Sequence, residues 1–259
     1  MGQCMERIKK ELIISSGVPV TYAGRLDPMA DGLVIFLVDE MRFYKDKFLK
    51  LSKTYQVSFF LGFNTDTYDI LGLVEKQKTI AGCGFNAIEK VSETLYPIGI
   101  PKEQKFPQFS SRKFNGKPLF VFAKNNTPIP QISHEVTLYD LDNFSSQQIH
   151  RDVLFQKIIQ DIDLVVGDFR QESCKQLWCE VQNQFPEYLN LYSIDLSVSS
   201  GFYVRSWAHE LGREIGCGAV TFSITRSIIG VFTMSMVDSQ QGYAIFEKDN
   251  PIITQLLLD

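Results

Sequence analysis

Tyr22-Ala-Gly-Arg-Leu-Asp-Pro-Met-Ala-Asp-Gly32 is the stretch on which the fold turns. Gly24 and Gly32 admit backbone angles closed to other residues, or the close approach of a neighbouring segment. Pro28 fixes its own φ and biases Asp27, just before it, toward extended geometry. Asp27 therefore sits on a stiff loop ahead of the apolar run 33–38, which reads as a short buried strand between Gly32 and Asp39. Such a loop suits a catalytic carboxylate. Taken alone, a turn aspartate is the commoner explanation.

Two further stretches carry chemistry. Ser199-Ser-Gly-Phe-Tyr-Val-Arg-Ser-Trp-Ala-His-Glu-Leu-Gly212 is a glycine turn leading into a helix over 202–215, stopped by Gly216. Tyr203 and Arg205 stand at that boundary, where side chains can point into a cleft. An arginine beside a sequestered aspartate opposes the desolvation that would neutralise it. His209-Glu210 does not open a zinc-protease motif, because Arg213 stands where a second histidine is needed. The other stretch is Tyr55, on a strand predicted over 54–62, followed by Leu61-Gly-Phe-Asn-Thr-Asp-Thr-Tyr-Asp-Ile-Leu-Gly72. Asp66 and Asp69 lack the spacing of a calcium loop and are expected to hold a polar turn. Tyr55 by itself reads as a core aromatic.

The remaining pattern predicts an amphipathic helix over 6–15, a loop over 16–29, and helices over 41–49, 85–95 and about 172–182. Strands are expected over 136–141, 191–198 and 219–229, and Pro97, Pro101, Pro107 and Pro118 mark a long irregular stretch. Strands and helices mix without regular βαβ alternation, so the fold class is α+β. A chain of 259 residues with 44% hydrophobic residues can bury a sizeable core. No apolar run is long enough to span a bilayer, and the N-terminus lacks signal-peptide pattern, so a cytoplasmic protein is expected. Cys4, Cys83, Cys174, Cys179 and Cys217 suit buried reduced thiols better than a disulfide framework or a zinc site. A net charge of −4 argues against a generic nucleic-acid binder. Local basic runs remain: Lys45, Lys47, Lys50 and Lys53, then Arg112, Lys113, Lys117 and Lys124 interleaved with Phe109, Phe114 and Phe120. Mixed basic and aromatic character suits RNA, and a solvated face accounts for either run equally well.

Together the three stretches resemble the bacterial tRNA pseudouridine-55 synthase family, the TruB type. Gly24 to Gly32 is similar to its Gly-x-Leu-Asp-Pro-x-Ala-x-Gly signature, Leu61 to Gly72 to its Thr-Asp-Thr segment, and Ser200-Gly-Phe-Tyr-Val-Arg205 to its Lys-Gly-Thr-Tyr-Ile-Arg segment. Pro107 through Lys124 resembles the loop that contacts the tRNA T-arm, and Ile224-Thr-Arg-Ser-Ile-Ile-Gly230 a late strand. The resemblance implies a pseudouridine synthase fold, a mixed, mainly antiparallel sheet with flanking helices and a central active-site cleft. It implies one catalytic domain over 1–259, a monomer acting on tRNA, an RNA-contacting loop at 101–130, and neither metal nor organic cofactor. Asp27 is then the nucleophile, Tyr55 stacks on the target uracil, Arg205 pairs with Asp27, and Tyr203 and Ile224 line the uracil pocket. Arg112, Lys113, Lys117 and Lys124 are the expected RNA contacts.

The chain departs from the family at four places. Nothing before Glu6 matches the usual first strand with its Lys-Pro pair, which leaves a sheet edge expected to be exposed. Tyr22 stands where the family has a histidine and could fill by stacking the gap left by a flipped base. The C-terminal PUA domain of many members is not expected. Residues 144–190 exceed the family's usual connection and carry no assigned role. Two rival readings remain: an RNA-binding protein or tRNA-folding chaperone with impaired catalysis, and a two-carboxylate hydrolase using Asp27 with Asp31 or Asp66.

Overall fold

The computed structural model describes residue 10 and residues 17–75, 85–125, 127–128 and 131–237. The helix expected over 6–15 lies outside the described residues except for Lys10, which is helical. Strand β1 (Val20–Ala23) leads into the Asp27 loop, β2 (Ala30–Gly32) leaves it, and β3 (Ile35–Val38) turns back to pair antiparallel with β1. The expected loop over 16–29 thus contains a strand. Its run Val20-Thr21-Tyr22 has the β-branched and aromatic character of one.

The main sheet is built from β4 (Lys53–Leu61), β7 (Leu138–His150), β8 (Tyr188–Val198), β9 (Ala219–Ile229) and β10 (Phe232–Thr233). Between them in sequence, β5 (Lys102–Lys105) and β6 (Ser133–Val136) form a separate ribbon, so the expected irregular stretch over 97–118 holds a strand. The sheet runs β7-β8-β4-β9-β10, all antiparallel, and β2 adds to β9 in parallel. This is the mixed, mainly antiparallel sheet of an α+β fold. The strand expected over 136–141 is broken at Thr137, where β6 ends and β7 begins, and β7 continues to His150.

Among the described residues, four helices of eleven residues or more cover the sheet: α1 (Phe85–Leu95), α2 (Arg151–Leu164), α3 (Gln171–Val181) and α4 (Val204–Ile215). The helix expected over 41–49 is a 3-10 turn, Asp39–Tyr44, followed by a single α-helical piece, Lys45–Lys50. Adjacent strand residues point to opposite faces. Phe59, Tyr192 and Ala219 therefore pack with Ile88 of α1 and Trp207 and Leu211 of α4. Their neighbours Phe60, Leu191 and Val220 pack on the other side with Phe155 and Ile158 of α2 and Trp178 of α3. Each large apolar side chain on that second face gains roughly 1.5–3 kcal/mol from leaving water. The helical pair inside residues 144–190 is thus a structural layer, and without it the sheet would present Phe60 and Val220 to solvent.

Candidate active site

The Asp27 loop is pinned at both feet by one buried side chain. Arg226 on β9 is 2% exposed, its Nε donates to the Leu33 carbonyl at 2.7 Å, and its Nη2 donates to the Gly24 carbonyl at 3.1 Å. The backbone adds a bond from Leu33 N–H to the Arg226 carbonyl at 2.8 Å, and β2 lies in register with Gly32 opposite Arg226. Gly32 has φ of 101°, and a Cβ there would collide with the Arg226 backbone. Only glycine meets both conditions. Within the loop, Ala30 N–H donates to the Asp27 carbonyl at 3.0 Å. Arg226 thus adds a hold at both ends of the loop to the constraint that Pro28 places within it. Sequence alone showed Arg226 only as one residue of a late-strand motif, with no sign of that role.

Arg205 meets Asp27 from the first turn of α4. Its side chain is 2% exposed, and its Nε donates to Asp27 Oδ2 at 2.7 Å. Asp27 keeps 35% of its side chain exposed, so a reactant can reach it. The other guanidinium nitrogens hold backbone: Nη1 donates to the Thr67 carbonyl at 2.6 Å and Nη2 to that of Phe109 at 3.4 Å. A second carboxylate, Asp69, faces Arg205 Nε at 3.5 Å with its side chain 5% exposed. Burial alone would lower the Arg205 pKa, but Asp27 and Asp69 together hold it above its ordinary value. Burial also raises the Asp69 pKa, and Arg205 opposes the rise.

Asp69 was expected only to hold a turn. It does so, accepting from Thr67 Oγ1 at 2.5 Å and Leu71 N–H at 3.0 Å, and it is also the buried counterion of Arg205. The signal available in sequence was its place in a polar Thr-Asp-Thr-Tyr-Asp run, which does not reveal what it faces. Asp66 accepts from Leu73 N–H at 2.8 Å and from both ends of the Arg170 guanidinium, at 2.7 and 3.2 Å. Asp31 is exposed on β2. The oxygens that a hydrolase would need free are engaged at Asp66, by Arg170 and Leu73, and at Asp69, by Arg205, Thr67 and Leu71.

Tyr55 on β4 lies beside Arg226 in the strand register. Burial pushes the Tyr55 phenol up in pKa, Arg226 opposes this through its charge and a hydrogen bond, and the nearby Asp27 carboxylate adds to the rise. Tyr203 caps α4 with extended backbone. Gln104 of β5, fully buried, accepts from Tyr203 N–H at 2.7 Å and donates to the Tyr203 carbonyl at 3.1 Å. The Tyr203 ring stands edge-on to Phe106 and His134, and burial raises its pKa, with Asp27 adding to the effect. Ile224, 5% exposed, lies opposite Ala30 across the parallel pairing. Asp27, Arg205, Tyr55, Tyr203 and Ile224 therefore converge on one place. Tyr22 contacts its own ribbon: its ring meets Phe36, its hydroxyl accepts from Arg25 Nη2 at 3.2 Å, and Lys45 lies over it.

The basic residues separate into two groups. Lys113 and Lys117 are exposed on a hairpin of two two-residue strands, Lys113–Phe114 and Lys117–Pro118, and Arg112 is exposed with its guanidinium over Phe106. Lys124 instead donates to Asp168 Oδ2 at 2.9 Å and to the Asp168 carbonyl at 2.8 Å. Lys53 of the earlier run is buried, donating to the Leu49 and Leu51 carbonyls, and burial lowers its pKa to about 8. His209 stacks on Tyr68, and burial lowers its pKa to about 4. Cys174 and Cys217 are buried and in no disulfide, whereas Cys179 is exposed, and Cys4 and Cys83 lie outside the described residues. Among the described residues no cluster of His, Cys, Asp and Glu could hold a metal ion, and no helix is long and apolar enough to cross a membrane.

Known proteins resemble this chain in sequence and in fold. The chain is 28% identical over 218 residues to tRNA pseudouridine synthase B of Blochmanniella floridana, covering 84% of this chain and 68% of that protein. It is 25% identical over 252 residues to the protein of the same name from Endomicrobium trichonymphae, covering 95% and 88%. Among solved structures, a chain of a Cbf5-Nop10-Gar1 complex superposes with a TM-score of 0.51 at 14% identity, over 90% of this chain and 46% of that one. This last likeness is one of fold. The family model of the TruB family pseudouridylate synthase N-terminal domain matches residues 14–158, more than half of the chain. The chain belongs to the TruB family of pseudouridylate synthases.

Proposed function

We propose that the chain is a tRNA pseudouridine synthase that isomerises a uridine of the T-loop, U55, with Asp27 as its nucleophile. One observation carries the reading: a solvent-reachable Asp27 carboxylate is held 2.7 Å from a fully buried arginine on a loop pinned at both feet. Relatives bearing the name tRNA pseudouridine synthase B supply the substrate class. The target uridine is flipped from the T-loop into the space between Asp27, Tyr55, Tyr203 and Ile224. Tyr55 stacks on the uracil, and Tyr203 and Ile224 limit its movement. Asp27 attacks at C1′ or C6, the N1–C1′ bond breaks, and the detached base turns. C5 then bonds to C1′, the bond from C1′ or C6 to the Asp27 oxygen breaks and frees the carboxylate, and C5 loses its proton while N1 gains one, so atoms balance without a cofactor. Arg205 keeps the carboxylate aimed throughout, the kind of positioning on which nucleophilic catalysis depends.

The protein acts as a monomeric catalytic domain gripping the T-arm through the hairpin of Lys113 and Lys117. The test is Asp27→Asn, which keeps the shape and removes the nucleophile. Pseudouridine formation in a T-arm stem-loop should vanish while RNA affinity stays within about threefold of wild type. Turnover by a preparation shown free of deamidated protein would remove Asp27 from this role. An inactive wild type that still binds and refolds tRNA would favour the chaperone reading.

A further inference from the structure

We infer that Arg170, from the segment joining α2 to α3, is a positioning residue for the Asp27–Arg205 pair, acting through the Asp66–Thr67 turn and Phe109. The inference rests on the pseudouridine synthase reading for its kinetic consequence, but its structural basis stands apart from it. Arg205 is held by backbone from two separate segments, the carbonyls of Thr67 and Phe109. Arg170 reaches both segments from the far side. Its guanidinium grips Asp66, the neighbour of Thr67, with two hydrogen bonds at 2.7 and 3.2 Å, and lies 4.4 Å over the Phe109 ring.

The helix that follows braces the same turn. Trp178 Nε1 donates to the Ile70 carbonyl at 2.8 Å and Cys174 Sγ to the Leu71 carbonyl at 3.3 Å, both side chains fully buried. Both acceptors follow directly on Asp69, the buried counterion of Arg205. Arg170 itself takes a left-handed backbone conformation, φ 62°, which a non-glycine residue keeps only where its surroundings over-determine it. The Lys124–Asp168 pair nearby is not an equivalent brace, because Asp168 is 85% exposed and such surface pairs contribute little. A guanidinium engaged two-pronged by Asp66 is also a poor phosphate ligand, so a direct RNA contact is the weaker account of Arg170.

Arg170→Met and Arg170→Lys test this against Lys175→Met, which breaks ion pairs with Asp163 and Glu172 on the outer side of α3. Two quantities are read: proton exchange of the Arg205 Nε–H by NMR in the free protein, and single-turnover rate with affinity for a T-arm stem-loop. Arg170→Met should speed the Nε–H exchange and slow single turnover about ten- to a hundredfold, with RNA affinity within about twofold. Arg170→Lys, which keeps the charge on Asp66, should recover part of both, and Lys175→Met should change neither. Unchanged Nε–H exchange in Arg170→Met overturns the inference, as does a loss of RNA affinity at unchanged rate. If the wild type forms no pseudouridine, the functional reading fails, while the exchange measurement still decides the positioning role. If Arg170→Met does not fold, Arg170→Lys alone carries the comparison, with faster exchange supporting the inference and wild-type exchange overturning it.

Discussion

Removing Arg205 should harm Asp69 more than Asp27, because the Asp69 side chain is 5% exposed and that of Asp27 35%. In Arg205→Met the Asp69 carboxylate keeps only Thr67 Oγ1 and Leu71 N–H. Breaking a buried pair from one side costs about 3–5 kcal/mol. Combining it with Asp69→Asn removes the stranded charge, so the double variant should be about 2 kcal/mol more stable than additivity allows. The pH dependence has a definite sign. Burial already raises the Asp69 pKa above the ordinary 3.8, and losing Arg205 raises it further. A carboxyl whose folded-state pKa is raised contributes stability below its unfolded value and loses it as pH climbs through the folded one. The deficit of Arg205→Met against wild type should therefore be smallest near pH 4 and widen toward neutrality. Urea denaturation of the four proteins of the cycle at acid and neutral pH measures this. Strict additivity, or a deficit independent of pH, would refute the coupling. Turnover adds a second readout. Charge pairing alone would let lysine substitute far better than methionine, but the arginine uses Nε, Nη1 and Nη2 on four groups. One ammonium cannot reach them all, so Arg205→Lys should lose nearly as much activity as Arg205→Met.

Gly32→Ala should destabilise the protein by about 2–3 kcal/mol, since the added methyl group meets the Arg226 backbone at a positive φ; an unchanged denaturation midpoint would contradict that packing. For RNA affinity, neutralising Arg112, Lys113 and Lys117 should lower the slope of log K against log salt by about 0.7–0.9 for each phosphate left without its cation. Lys124→Gln should lower the slope less than the others, because the Lys124 ammonium is shared with Asp168. An equal fall for Lys124→Gln would place it on the RNA instead.

The candidate site was legible where chemistry and local backbone coincide. Asp27 before Pro28, the glycine turn before Tyr203 and Arg205, and the strand bearing Tyr55 are all encoded within a few residues, and the structure brings them together. β9 and α1 occupy the expected spans 219–229 and 85–95. Strand β1 was obscured by flanking Gly17, Pro19 and Gly24, whose turn signals outweighed its four residues. Helix α2 carries a readable stripe, Leu154, Phe155, Ile158 and Ile162, inside residues 144–190, which carried no assigned role. That stripe faces Phe60, Phe63 and Val220, which come from far earlier and far later in the chain, so its purpose is tertiary.

The same distinction explains why the arginines were the harder part. Arg205 was readable because its partner Asp27 is a side chain with the complementary charge. Arg226 acts on groups that sequence does not mark, the carbonyls of Gly24 and Leu33, and Arg170 reaches the Asp66 carboxylate and the Phe109 face from a segment far along the chain with no motif linking them. Any residue offers a carbonyl, so no residue type in sequence advertises that acceptor. A buried guanidinium nevertheless needs most of its five donors satisfied, which makes it a strong organiser of irregular backbone. The Asp27 loop and the 64–73 turn are such backbone, and each is held by an arginine that never has to touch the reacting base. Residue chemistry alone therefore points to Asp27 and its ion pair with Arg205, whereas on the proposed reading the precision of their placement rests on Arg226 and Arg170.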